Sequence, residues 1–237
     1  MSRAPAILLS PVVLAQARRL RREVPHLDPP PPPWTGATVG GALQPEARRL
    51  VVLGDSTAVG TGVERAEDAL APRVAAILAD TGIDDGRGVV WTAVGEHGAT
   101  ADRIRGAHLG DAVAERPHVA VIAAGWNDAM HLRSPRAYAG DLREMVRELR
   151  DARHGCRIVL LAPPRFGAFP GLPQPLRRAL GRASEGLVRA AARVAREERT
   201  ALARGFDGAS TAADGFHPDA AGYAALADGI RRALRSR

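Results

Sequence analysis

Seven residues, Leu50-Val51-Val52-Leu53-Gly54-Asp55-Ser56, constrain this chain more than any other stretch. An uninterrupted apolar run that stops at Gly, Asp and Ser reads as a buried strand that delivers a hydroxyl to the carboxyl edge of a sheet. Ser56 is therefore the candidate nucleophile. Serine after a strand is common, so the reading depends on finding a base, an acid to orient it and donors for an oxyanion elsewhere in the chain.

The rest of the chain supplies a frame for such a site. Apolar runs recur at Val89–Val94, Val119–Ala124 and Arg157–Ala162, with helix-length segments between them. Thr200–Ala203 is a weak fifth strand, and Gly181 and Gly186 leave open whether 176–199 is one helix. Regular alternation of strand and helix predicts a three-layer α/β/α fold around a five-stranded parallel sheet. In such sheets ligands bind outside the carboxyl ends of the strands. The loops at Ser56, Gly98 and Asn127 should gather there, with the loop Asp214–His217 beside them.

Composition excludes several classes of function. The 237 residues suit one medium domain, and the single cysteine, Cys156, excludes an internal disulfide framework or a metal site of several thiolates. The formal charge of +7 comes with arginine alone, and these arginines are spread over helix-like segments as solvated faces. There is no zinc-finger spacing and no basic motif interleaved with aromatics, so nucleic acid is not an expected partner.

The N-terminal region reads differently. Residues 4–17 are apolar but fall short of the ~20 residues needed to span a membrane, and Pro5 and Pro11 interrupt them. The cluster Arg18-Arg19-Leu20-Arg21-Arg22 follows the apolar run, whereas a secretory signal puts its basic residues first. Residues 1–28 are thus an arm, which either rests on an anionic membrane surface through residues 4–22 or packs on its own domain or a second subunit. Residues 29–47, with five prolines at 29–33, read as a stiff linker, and the compact domain spans 48–237. The expected location is cytoplasmic, with membrane association and secretion as alternatives.

Seven histidines compete for the role of base. His217 is preferred because Asp214 lies three residues before it, so that one turn can aim the carboxylate at the far ring nitrogen and leave the other facing Ser56. The same spacing also suits a solvated surface ion pair.

In chain order the motifs are Gly54-Asp55-Ser56, a loop at Gly98, Gly125-x-Asn127-Asp128 and Asp214-x-x-His217-Pro218. This series, over about residues 48–237, resembles the SGNH hydrolases, also called the GDSL-type lipases and esterases. The resemblance implies a flavodoxin-like sheet and a metal-independent esterase without cofactor. It further implies Ser56 as nucleophile, His217 as general base and acid, and Asp214 as its orienting group. The oxyanion would be held by the backbone N–H groups of Ser56 and Gly98 and the amide of Asn127.

Two departures stand out. Ala93 or its neighbours occupy the place where the family commonly has asparagine, and the strand before Asp214 is poorly formed. Asp55 and Asp128 read as loop-tying acceptors and His97 as a bystander. Trp126, with Phe166, Phe169 and Leu172 of a Pro- and Gly-rich loop that overhangs the site, would contact substrate. The expected substrate is a lipid-like or acyl-chain ester, as in lysophospholipase-like members. The alternatives are a carbohydrate O-acetylesterase, an acyltransferase using the same residues, and a non-catalytic binding domain on the same fold.

Overall fold

The computed structural model describes residues 11–38, 47–81, 87–169 and 171–236. Residues 1–10 of the expected arm and 39–46 of the expected linker lie outside them.

Among the described residues six strands form one sheet: β1 (Thr35–Thr38), β2 (Arg48–Gly54), β3 (Val89–Gly95), β4 (Val119–Ala123), β5 (Arg157–Leu161) and β6 (Ala201–Ala203). Their spatial order is β1-β3-β2-β4-β5-β6, with β1 antiparallel to β3 and every other pair parallel. The five expected parallel strands are present, and β1 is the addition. It lies inside the segment expected to be linker, where its pairing with β3 and the packing of Gly36 under the Trp91 ring give it a place. The weak fifth strand is real but short, with Ala201–Ala203 beside Val159–Leu161 of β5.

Side chains alternate across a strand, and the core divides accordingly. Val51, Leu53, Ile122, Ile158 and Leu160 face one layer of helices. That layer comprises α4 (Ala101–Ala107), α5 (Leu109–Ala114), α7 (Pro135–Ala152) and α8 (Leu176–Glu197). Leu50, Val52, Val121, Val159 and Leu161 face the other layer, α3 (Leu70–Asp80) and α9 (Ala220–Arg235). Two further short helices, α2 (Ser56–Val59) and α6 (Trp126–Met130), begin at the carboxyl edge of the sheet. Helix α7 starts at a capped turn, with Ser134 accepting from the Ala137 N–H and Pro135 in the first turn. Helix α8 is continuous through both glycines. The missing side chain at Gly181 lets the backbone of Gly167 approach, so that glycine serves packing and does not end the helix.

The arm contributes α1 (Pro11–Glu23), which lies on the protein's own body. Val13 is buried in the core, and Ala17 and Leu20 pack against it. Both ends of the Gln16 amide are used: Nε2 donates to the Gln174 carbonyl at 2.7 Å, and Oε1 accepts from the Leu176 N–H at 3.1 Å. Among the described residues no helix is long and apolar enough to cross a membrane.

At the amino edge of the sheet, His118 carries a pH dependence. Its Nδ1 accepts from the Arg49 N–H at 3.0 Å, which requires a neutral ring. Burial, helped by the charges of Arg153, Arg49, Arg48 and Arg87, pushes it down to about 4. In the unfolded chain the ring takes up its proton near its ordinary 6.5, so between pH 6.5 and 4 the unfolded state binds more protons. This contribution to stability is therefore complete above about pH 6.5 and is lost as pH falls toward 4. With partial exposure it amounts to about 2 kcal/mol. Urea unfolding at pH 7.5 and pH 4.5 should show a smaller pH-dependent loss in His118→Asn, whose side-chain oxygen can keep the acceptor without titrating. An unchanged loss would refute the assignment.

Candidate active site

The carboxyl edge of β2 places Ser56 at the first position of α2. Asp55 caps that helix, accepting from the Thr57 N–H at 3.0 Å. Burial pushes the Asp55 carboxyl up to about 6, against the bond from Thr57 and the attraction of His217. Gly54 is required by a close approach, since a Cβ there would lie 2.1 Å from the Ala123 carbonyl oxygen.

The loop after β6 returns over the sheet edge as a narrow turn. It is closed by the Thr211–Pro218 bridge and the Ala212 N–H bond to the His217 carbonyl at 2.9 Å. Asp214 organises it. One carboxylate oxygen accepts from the N–H groups of Phe216 and His217 at 2.9 and 3.0 Å, and the other lies 2.5 Å from His217 Nδ1. Burial raises the affinity of this carboxyl for protons, but the bonds from the His217 ring and the two N–H groups outweigh it and hold the group below its usual range. His217 Nε2 lies 3.0 Å from Ser56 Oγ. Residues 161 positions apart thus form one hydrogen-bonded chain from Asp214 to Ser56.

Two further loops reach the same edge. Gly98 has φ +82°, where a side chain would be strained, and a Cβ there would meet no atom within 4 Å. Asn127, in α6, spends one amide hydrogen on the Ala99 carbonyl at 3.0 Å, which leaves its second for a ligand. Its neighbour Asp128 is fully buried, accepting from the Ala101 N–H at 3.0 Å and from Arg133 at 3.1 Å. Burial pushes that carboxyl up, and the N–H of Ala101 and the charge of Arg133 oppose the shift. Asn127 and Asp128 together clasp the Gly98 loop to α6. Asp55 and Asp128 tie loops, as expected from the sequence.

Beside His217 opens a cavity of about 380 Å³, within the size range of small-molecule sites. Trp126, Phe166 and Leu172 line it, as does Asn127. Phe169 does not. It packs behind the wall against Trp126, Phe166 and Phe206, with ring centroids 5.3 to 5.8 Å away. The expected overhanging loop is tucked in, with Phe166, Phe169 and Leu172 at most 2 % exposed. A second cavity of about 30 Å³ is lined by Ser56 and His217 themselves, with Ala123, Ala124, Leu161 and Ala162.

His97 is drawn closer to the site than its reading as a bystander anticipated. Its ring lies 5.2 Å from that of His217 and 5.4 Å from that of His26 in the arm, and its Nδ1 is 3.1 Å from Thr61 Oγ1. Burial, together with the charges of His217 and His26, holds it below its usual value. Thr61 and His26 had no sequence signal, because neither belongs to a motif. Among the described residues no group of three or more His, Cys, Asp or Glu is arranged to hold a metal ion.

By its family the chain is a serine ester hydrolase. Residues 52–225 match the GDSL-like lipase/acylhydrolase family, and the chain belongs to it. It is 31% identical over 243 residues to the GDSL-like esterase Rv1075c of Mycobacterium tuberculosis, covering 94% of this chain and 76% of that one. Among solved structures, TesA superposes with a TM-score of 0.63 at 24% identity, over 80% of this chain and 99% of TesA. A catalytic mutant of Axe2, an acetylxylan esterase from Geobacillus stearothermophilus, gives 0.60 at 19% identity, over 79% and 94%.

Proposed function

We propose that the protein hydrolyses lipid-like or acyl-chain esters through an acyl-enzyme at Ser56. Ser56 Oγ attacks the carbonyl carbon as its proton passes to His217 Nε2, 3.0 Å away. Asp214 holds the Nδ1 proton, fixes the tautomer and stabilises the imidazolium. The oxyanion takes hydrogen bonds from the N–H groups of Ser56 and Gly98 and from the second amide hydrogen of Asn127. The tetrahedral intermediate collapses as His217 returns its proton to the departing alcohol oxygen. Water then enters, His217 removes one of its protons, and a second collapse releases the acid and restores the Ser56 hydroxyl.

The observation that carries the substrate class is the 380 Å³ cavity, whose wall joins apolar Leu20, Met130, Phe166 and Leu172 to Asn127 and His217. An ester with its carbonyl at Ser56 can lay an apolar chain along this wall, each buried methylene adding about 0.8 kcal/mol. The 30 Å³ cavity favours a second reading, a deacetylase, because it has room for little more than a methyl group. A p-nitrophenyl ester series from acetate to dodecanoate separates the two. We expect kcat/KM to rise at least tenfold from acetate to octanoate. A maximum at acetate with no turnover of octanoate would replace the first reading with the second.

A further inference from the structure

The N-terminal arm forms one side of the 380 Å³ cavity as a strap fixed at both ends. At one end Gln16 holds α1 to Gln174 and to the first residue of α8. At the other, buried Pro30 accepts from Trp34 Nε1 at 2.8 Å, and Trp34 takes the Ala93 N–H at 2.8 Å as the chain enters β1. The segment between these fixed points contributes Ala17, Leu20, Val24, His26 and Leu27 to the lining of the 380 Å³ cavity, together with Trp126 and His217. The family match begins at residue 52, so this wall lies outside the matched region.

We infer that residues 17–27 form a binding site for the apolar chain of the substrate, with Leu20 and Leu27 setting the length accepted. The inference rests on the esterase reading for its substrate, but the wall is a binding surface whatever reaction occurs beside it. Three features support it. The arm is held by specific bonds on both sides of the cavity, so it is a fixed wall. Apart from His26, which sits beside His97, the side chains it gives to the cavity are apolar, while Arg18, Arg19 and Arg22 are turned to solvent. The cavity reaches His217, whose Nε2 lies 3.0 Å from Ser56 Oγ, and shares Trp126, Phe216 and His217 with the smaller cavity that Ser56 lines, so a chain lying on the wall ends beside the nucleophile.

Leu20→Trp and Leu27→Trp each fill part of the cavity from a different stretch of the arm, and a cooperative thermal transition establishes that each is folded. We expect either one to lower the octanoate-to-acetate ratio of kcat/KM at least tenfold. Calorimetric titration of Ser56→Ala protein with octanoate gives a readout without turnover, and either substitution should weaken that affinity at least tenfold. Ratios and affinities within twofold of the parent in both variants, or no octanoate binding by Ser56→Ala, would overturn the inference. If octanoate binds and the variants weaken it while the wild type hydrolyses neither ester, the arm site stands and the esterase reading fails.

Discussion

Replacing Ser56 by alanine should lower kcat for p-nitrophenyl butyrate by about 10⁴- to 10⁶-fold and leave the fold intact. The hydroxyl is the only group of Ser56 whose loss matters here, because the backbone N–H proposed to hold the oxyanion survives the substitution. Nor should stability fall by more than about 1 kcal/mol, since Asp55, and not the Ser56 side chain, caps α2. Labelling supplies an independent check. A fluorophosphonate should modify the wild type with 1:1 stoichiometry and leave Ser56→Ala unlabelled. Hydrolysis that survives the substitution at more than a tenth of the original rate would remove Ser56 from the mechanism.

Asp214→Asn should cost nearly as much, about 10⁴-fold in kcat, by a different route. The carboxylate has two tasks, and asparagine can keep one of them. Its side-chain oxygen can still accept from the N–H groups of Phe216 and His217, so the turn should hold. Its NH₂ then faces His217 Nδ1, where the ring must accept and therefore carry its proton on Nε2, toward Ser56. A ring in that tautomer cannot take the serine proton. The expected result is a folded protein with near-native KM, minimal kcat and a ¹⁵N spectrum showing Nε2–H. A loss of less than tenfold would mean that Asp214 only shapes the loop.

The sequence made the chemical edge of this fold legible and left its walls obscure. Leu50–Ser56 announces a buried strand because no solvated face interrupts its apolar residues. Asp214 and His217 stand close enough in sequence for one turn to join them, so their pairing could be anticipated. Their delivery to Ser56 was less evident, because β6 is only Ala-Leu-Ala and takes its strand form from β5, not from local preference. Edge strand β1 was hidden for a similar reason. Thr35-Gly36-Ala37-Thr38 has little strand character of its own and depends on β3 and the Trp91 ring. His97 and the arm's role at the cavity arise from tertiary placement, which no spacing encodes. Phe169 shows the converse, as an aromatic beside the site that proves to be packing behind it.

The close contact of Gly54 with Ala123 at the end of β2 has a consequence for how such a protein can change. Gly95 is confined in the same way, since a Cβ there would lie 2.0 Å from the Gly54 carbonyl oxygen. No side chain can be added at these positions without separating the strands that hold the nucleophile. Variation in substrate range must therefore enter elsewhere. The stretch of residues 17–27 lines the adjoining cavity at His217 but shares no ladder bonds with β2, and so can accept substitutions that the strand edge cannot. In the proposed arrangement reactivity and selectivity are carried by separate stretches of one chain, and one can drift or be engineered while the other stays fixed.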